Sequence, residues 1–433
     1  MISVTTIFVV DLNRKPLSVD PTDEELQDAK LLYYYPDHCE IEERRSHFGL
    51  IEGLIGLIST FTTNKIDFLK TKLFTTTVSE WYPGVYLVVC FKDDEKHSSE
   101  MLEYSHSWKH LINKIVLENA KRIFELLYGP LNEHLELATS SGNLDDLRIA
   151  FDNFLPSFLT KSVSSSFNIL KDWDATNKAH INSAFALDAQ TLITDICLEF
   201  NEVKEYLLIY NREIFLSSLD IDDMMVIYTF LIKHEGSVTK DAESRVKTLT
   251  PTVSNEVHVL ESDTGVAFGP RVRVKGRDYY LSALCFGGLI LILLLDSRDI
   301  VLSLNNIKEY LNGIPHGLKA LLRSISNPSS SSKLRTLSLN STTKTIRSIG
   351  YEPLDDKKLR ELYIIRGIHH LIESNAAHLN RVDVKTSDGW ICSQVSNDRE
   401  MYLSLSSDRL GLTAVTQTFD DFVKSHLGGI YFI

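Results

Sequence analysis

His106 and His110 stand four residues apart where a helix is predicted to begin, with Glu103 nearby. That spacing puts both imidazoles on one helical face, a geometry that can ligate a metal ion. No third ligand is evident, and a solvated first turn accounts for the same residues. His369 and His370 are adjacent, so on one helix they diverge by about 100° and cannot share a site. Asp220, Asp222 and Asp223 could hold a cation, but no calcium-loop spacing follows them. Capping the helix that opens there is the simpler role, since carboxylates favour a helix N-terminus. Arg271, Arg273, Lys275 and Arg277 form a basic cluster that could meet lipid headgroups, or else a solvated loop or strand face. Trp81-Tyr82-Pro83 is an aromatic step at a strand start that could anchor a partner or pack at the edge of its own domain. Phosphate-loop, dinucleotide, zinc-protease and nucleophile-elbow motifs are missing from the sequence. Nothing nominates a nucleophile or an acid–base pair, so no catalytic residue, metal or other cofactor is expected.

The elements that would position any site are ordered around Ser46 to Phe61, SHFGLIEGLIGLISTF. Wound as a helix, this stretch puts Leu50, Ile51, Leu54, Ile55, Leu57, Ile58 and Phe61 on one broad face. Gly49, Gly53, Gly56 and Thr60 fall on the other. Each mid-helix glycine costs roughly 1 kcal/mol against alanine, so three aligned glycines need a reason. Two readings stand: a second backbone from a partner comes close, or the helix is fully buried with its glycines against the domain's own loops. At about 24 Å the helix is too short to cross a bilayer.

The chain of 433 residues is long enough for two to four domains, and its 43% hydrophobic content suffices for real cores. A formal charge of −13 argues against nucleic-acid binding as the role of the whole chain. It argues equally against nonspecific adhesion to anionic lipid. The opening MISVTTIFVVDLNRKP has neither a basic start nor a small-residue cleavage site and is not expected to be a signal peptide. Cys39, Cys90, Cys197, Cys285 and Cys392 are scattered, odd in number and read as reduced, mostly buried thiols of a cytosolic protein.

A pattern of strands, helix, strands and helix occurs three times. Residues 1–128 carry strands at Val4–Leu12, Ala29–Tyr35, Phe68–Val78 and Trp81–Lys92, with a second helix at Trp108–Tyr128. Asp37-x-x-Glu40 could cap the first helix. Residues 129–202 read as a helical connector, clearest at Leu144–Leu159. Residues 203–326 repeat the pattern, with strands around Asn211-Arg212, a helix after Asp220, and two buried strands within Tyr279–Leu295 broken at Gly287-Gly288. Residues 327–333, proline-led and serine-rich, read as a linker. Residues 334–433 carry the third copy, with Leu359, Leu362, Ile365, Ile368 and Leu371 inward on its long helix. The fold class expected is α+β, three domains each built on a mainly antiparallel sheet with helices packed against it.

Three stretches carry a resemblance. They are LLYYYP followed by HFGLIEGLIGLISTF, then YNREIFLSSLDIDDMMVIYTFL at 210–231, then NDREMYLSLSSDRLGLTAVTQTFDDFVKSHLGGIYFI at 397–433. Together they resemble the Ccz subunit family of the Mon–Ccz vacuolar-fusion complex; residues 129–200 and 236–275 match it poorly. The resemblance implies three longin domains. It also implies a heteromeric guanine-nucleotide exchange factor for a late-endosomal Rab GTPase, in which a Mon-type subunit is the obligate partner. The first longin domains of the two subunits would pair to build the Rab platform, and a third, propeller-containing subunit can join. The complex would be recruited from the cytoplasm to late endosome, lysosome or vacuole membranes. A partner interface is then expected at Phe48, Gly49, Glu52, Gly53, Gly56, Thr60, Trp81 and Tyr82, and lipid-headgroup contact at Arg271, Arg273, Lys275 and Arg277. A non-catalytic longin scaffold in a trafficking complex is the alternative. A metal-dependent hydrolase built on His106 and His110 is a more distant one.

Overall fold

The computed structural model describes residues 2–16, 20–62, 66–71, 74–93, 102–141, 143–164, 175–177, 183–210, 212–233, 257–262, 267–297, 299–313, 335–351, 355–374, 379–406 and 410–427. The linker expected at 327–333 lies outside them, as do the side chains of Glu103, His106 and His110. The described strands form three sheets, mainly antiparallel, each with helices beside it, which is the α+β class expected.

The first sheet has the order β2-β1-β5-β4-β3, from β1 (Ile2–Asp11), β2 (Leu31–Tyr35), β3 (Phe68–Lys70), β4 (Phe74–Tyr82) and β5 (Val85–Asp93). Side chains alternate across a strand, and β1 is apolar on both faces. Phe8 and Val10 pack with Tyr34, Val78 and Val88 under helix α2 (Ile41–Phe61). Ile7 and Val9 are also buried and, by that alternation, point to the opposite face, where α3 (Leu102–Tyr128) packs on β4 and α5 (Asp145–Ser164) on β1 and β2. The first domain is therefore three layers, with the sheet in the middle. The turn between β4 and β5 requires Gly84: its φ is 83°, and a Cβ there would lie 2.1 Å from Asn13 Nδ2.

Two expectations change here. The helix α1 (Asp23–Lys30) was unforeseen; Thr22 and Glu25 close a reciprocal capping box at its start, with bonds of 2.9 and 3.2 Å. No such box opens α2, whose N-cap Glu40 makes no side-chain bond. The second change is in the connector. After α4 (Leu131–Ser141), α5 buries Phe151, Phe154 and Phe158 and belongs to the first domain's own core. Phe151 stacks on Phe124 of α3 at 5.1 Å, and Arg148 donates to the Leu32 carbonyl on the edge strand β2. Residues 129–202 also contain a two-residue strand, β6 (Thr176–Asn177), and end with α6 (Ser183–Glu199).

The second sheet has the order β10-β11-β12-β7-β8, with β9 beside β11. It is made of β7 (Val203–Tyr210), β8 (Glu213–Ser217), β9 (His258–Val259), β10 (Arg271–Val274), β11 (Arg277–Phe286) and β12 (Leu289–Leu295). Every residue of β12 is buried, as a strand covered on both faces must be. Gly287, at φ 57°, makes the expected break between β11 and β12. Helices α7 (Ile221–Tyr228), which runs on as a π-turn through Lys233, and α8 (Ile300–Gly313) complete this region.

The third sheet has the order β15-β16-β17-β13-β14-β6. Its strands are β13 (Arg335–Asn340), β14 (Thr345–Ile349), β15 (Arg381–Thr386), β16 (Gly389–Ser396) and β17 (Arg399–Leu405). Tyr402 packs with α9 (Asp356–Ser374), whereas Met401, Leu403 and Leu405 pack with α10 (Leu412–Leu427), so one helix covers each face. On α9 the buried stripe is Leu362, Ile365, Ile368 and Ile372; Leu371, expected inward, is exposed. By contact density the chain divides into two units. One is Met1–Phe167 with Ile196–Tyr206 and Asp222–Gly313; the other is Asn168–Asp195 with Leu207–Ile221 and Ile314–Ile433.

Candidate protein–protein interface

Helix α2 is held to its domain through its first half. Arg45 reaches Asp28 and Glu24 of α1, each at 2.6 Å, and Glu52 pairs with Lys30 at 2.5 Å. Arg44 bonds the carbonyls of Cys39 and Asp37 and lies over the Tyr34 ring. The Tyr34 hydroxyl stands 2.7 Å from His47 Nδ1 and accepts from Cys39 Sγ. Burial, helped by the Cys39 contact, pushes the Tyr34 pKa up, so this hydroxyl stays protonated and structural. Phe48 and Ile51 enter the core, and Ile55 packs against it.

The other face is open. Among the described residues, a Cβ placed on Gly49, Gly53 or Gly56 would meet nothing within 4 Å. The glycines therefore do not lie against any described loop of the domain, which argues against the buried-helix reading. The apolar stripe is also narrower than expected. Leu50, Leu57 and Phe61 are 55, 56 and 81% exposed. At i, i+7 and i+11 these three line one side of the helix beside Gly53 and Thr60. A solvent-facing helix carries charge there; this one carries leucine, phenylalanine and glycine. Burying such half-exposed side chains would yield about 1 kcal/mol or more each. The glycines would let a second backbone approach closely. Thr60 is exposed, its hydroxyl turned back to the Leu57 carbonyl.

The remaining expected contacts separate into those the structure keeps accessible and those it does not. Phe48 and Trp81 are each 1% exposed and cannot anchor a partner. Trp81 belongs to β4 and packs against Phe124 and Phe151, with ring centroids at 5.9 and 6.4 Å. Tyr82, the next residue, points the other way and is 43% exposed. Glu52 is half-buried and occupied by Lys30.

The basic cluster is the β10–β11 hairpin, turning at Lys275 and Gly276, both with positive φ. Three of its four cations are paired within the chain. Arg271 pairs with Asp278, Arg273 with Glu133 of α4, and Lys275 with Glu205 of β7, at 2.6, 2.6 and 3.1 Å. Asp222 and Asp223 lie in the first turn of α7, where the helix dipole favours them. Among the described residues no group of three or more metal-capable side chains converges. All five cysteines are free thiols. Burial raises the pKa of each, to about 11 at Cys285 and about 12 at Cys392. A raised pKa disfavours the thiolate that a nucleophile or ligand needs. No helix among the described residues is long and apolar enough to cross a membrane.

The domain that carries the open helix is also where a family model matches. Residues 17–129 match the family model for the first longin domain of INTU, CCZ1 and HPS4. Proteins described as vacuolar fusion protein CCZ1 homolog align over much of the chain. The one from Xenopus tropicalis is 24% identical over 213 residues, 47% of this chain and 44% of its own length. The one from Nematostella vectensis is 24% identical over 222 residues, covering 49 and 47%. The chain is thus similar to proteins of the Ccz family. The Dictyostelium discoideum homologue, at 18% identity, extends the match to 55% of the chain. The alignments span about half the length of these relatives. Within this longin domain, α2 has one face in the core and, among the described residues, the other uncovered.

Proposed function

We propose that this chain is a subunit of a vacuolar-fusion complex that works as a guanine-nucleotide exchange factor. It acts on a late-endosomal or vacuolar Rab GTPase and promotes endosome maturation and fusion with lysosome or vacuole. The observation that carries the reading is the open apolar and glycine face of α2, in a longin domain of the family's first type. A Mon-type subunit would cover that face through its own first longin domain, and the paired domains would form the platform for the GTPase. Exchange needs the switch segments and magnesium that hold nucleotide to be displaced. A shaped surface does that without covalent chemistry, so raised thiol pKa values are no obstacle.

The relatives are named as vacuolar fusion proteins, which supports a role at vacuole membranes; the proposal includes recruitment to late endosome, lysosome or vacuole membranes. Release of labelled GDP from a panel of Rabs tests the proposal, with the chain alone, with the Mon-type subunit, and with a propeller-containing third subunit added. Release from a late-endosomal Rab should accelerate only when the Mon-type subunit is present. Binding to that subunit without acceleration of any Rab would mark the chain as a scaffold instead.

A further inference from the structure

In the third domain the His369 imidazole is 6% exposed and held at both nitrogens. Nδ1 lies 2.7 Å from Glu400 Oε2 on β17, and Nε2 lies 3.3 Å from Glu373 Oε1, one turn along α9. Glu400 is itself buried and also accepts from the Tyr402 hydroxyl. A neutral imidazole has one N–H and one lone pair, whereas the protonated ring donates from both nitrogens. Two carboxylates on opposite ring nitrogens are therefore both satisfied only by the imidazolium. When the proton leaves, one lone pair faces a carboxylate. Glu400, fixed by Tyr402 and the sheet, keeps the remaining N–H, and Glu373, at the surface, lets go.

The groups that face this cluster are few among those described: two apolar residues across the sheet and two basic residues on the helix. Across the sheet Glu400 stands opposite Leu339 of β13 and Val395 of β16, both apolar. On α9 itself, Arg366 and His370 act on Glu373, and Arg366 also on Tyr402. The first half of α9 is fixed separately by the two-pronged bond from Arg335 of β13 to the buried Glu361. His369 fastens the second half of the helix, through Glu400, to β17.

We propose that His369 is a pH-sensitive clasp, fastening the second half of α9 to β17 when protonated and loosening it when neutral. Burial by itself would lower the His369 pKa; the hydrogen bonds to Glu373 and Glu400 outweigh it, and the pKa stands above its ordinary 6.5. A group raised on folding contributes stability that is complete below its unfolded pKa and lost as pH rises through the folded one. The loss therefore comes above pH 6.5. Glu373 is lowered from 4.5, chiefly by its bond to His369, so its own protonation lies well below this window.

Amide hydrogen exchange on the full chain, corrected for intrinsic rates and run from about pH 6 to about pH 8.5, reads the clasp directly. Peptides within 366–374 should lose protection as pH rises, while α10 on the opposite face does not. His369→Gln, which keeps one donor and cannot be charged, should abolish the dependence. Glu373→Gln alters a surface position and should fold normally; it should move the midpoint to lower pH, because one of the two carboxylates is gone. Flat protection in the unsubstituted chain overturns the proposal. So does an unchanged pH profile in His369→Gln, or an unmoved midpoint in Glu373→Gln. If His369→Gln fails to fold, the Glu373→Gln midpoint decides alone.

Discussion

Gly53→Gln sets opposite signs against each other on one helix. In the isolated chain no described residue lies within 4 Å of the new Cβ, so the substitution meets no clash there. Glutamine is the better helix former by up to roughly 1 kcal/mol. For a domain of this size that corresponds to a rise of about 2 to 4 °C in melting temperature. In the proposed complex the same side chain would intrude between two backbones. Overpacking of that kind costs about 1–3 kcal/mol, which weakens association roughly 5- to 150-fold. Exchange activity should fall in parallel at limiting Mon-type subunit and recover when that subunit is in excess. Melting and partner affinity are measured on one preparation. A variant that melts earlier would refute the open-face geometry, and unchanged affinity would remove the glycines from any interface.

Three further outcomes follow from the same structure. Leu57→Asp changes an exposed side chain, so chemical denaturation should place its stability within about 0.5 kcal/mol of the parent, while pull-down by the Mon-type subunit is lost. Phe48→Ala, about two and a half turns away on the same helix but in the core, should cost about 3–5 kcal/mol in the same denaturation experiment, because it leaves a cavity under α2. Glu361→Ala strands a mostly buried Arg335 and should destabilise the third domain by about 3–5 kcal/mol. Glu361→Gln, which retains an acceptor, should cost less.

How much of this was legible in the sequence depended on which force decided each element. Periodicity decides where one face is buried, so β12 and the break at Gly287 were readable, and so was the stripe of α9 up to Ile368. It failed for α2, because a helix apolar nearly all round gives no sign of which part meets its own domain. The structure buries Phe48 and Ile51 and leaves Leu50, Leu57 and Phe61 outside. Trp81 was misread for a related reason. Aromatic residues at a strand end look alike in sequence, and alternation sends Trp81 inward and Tyr82 outward. Helix α1 was missed although Thr22-x-x-Glu25 is a capping signature, because the eight residues after it bury nothing. Local charge density also misled at Arg271, Arg273 and Lys275. Two of their partners, Glu133 and Glu205, lie about 140 and 70 residues away in sequence, beyond any local pattern.

The account stands on the bare face of α2 being where a Mon-type subunit docks. Hydrogen exchange of α2, measured on the free chain and on a complex of confirmed mass, tests this most directly. Amides from Gly49 through Phe61 should gain protection in the complex, more than those of α5 on the far side of the same sheet. A complex that forms with α2 exchanging as it does in the free chain would contradict the account.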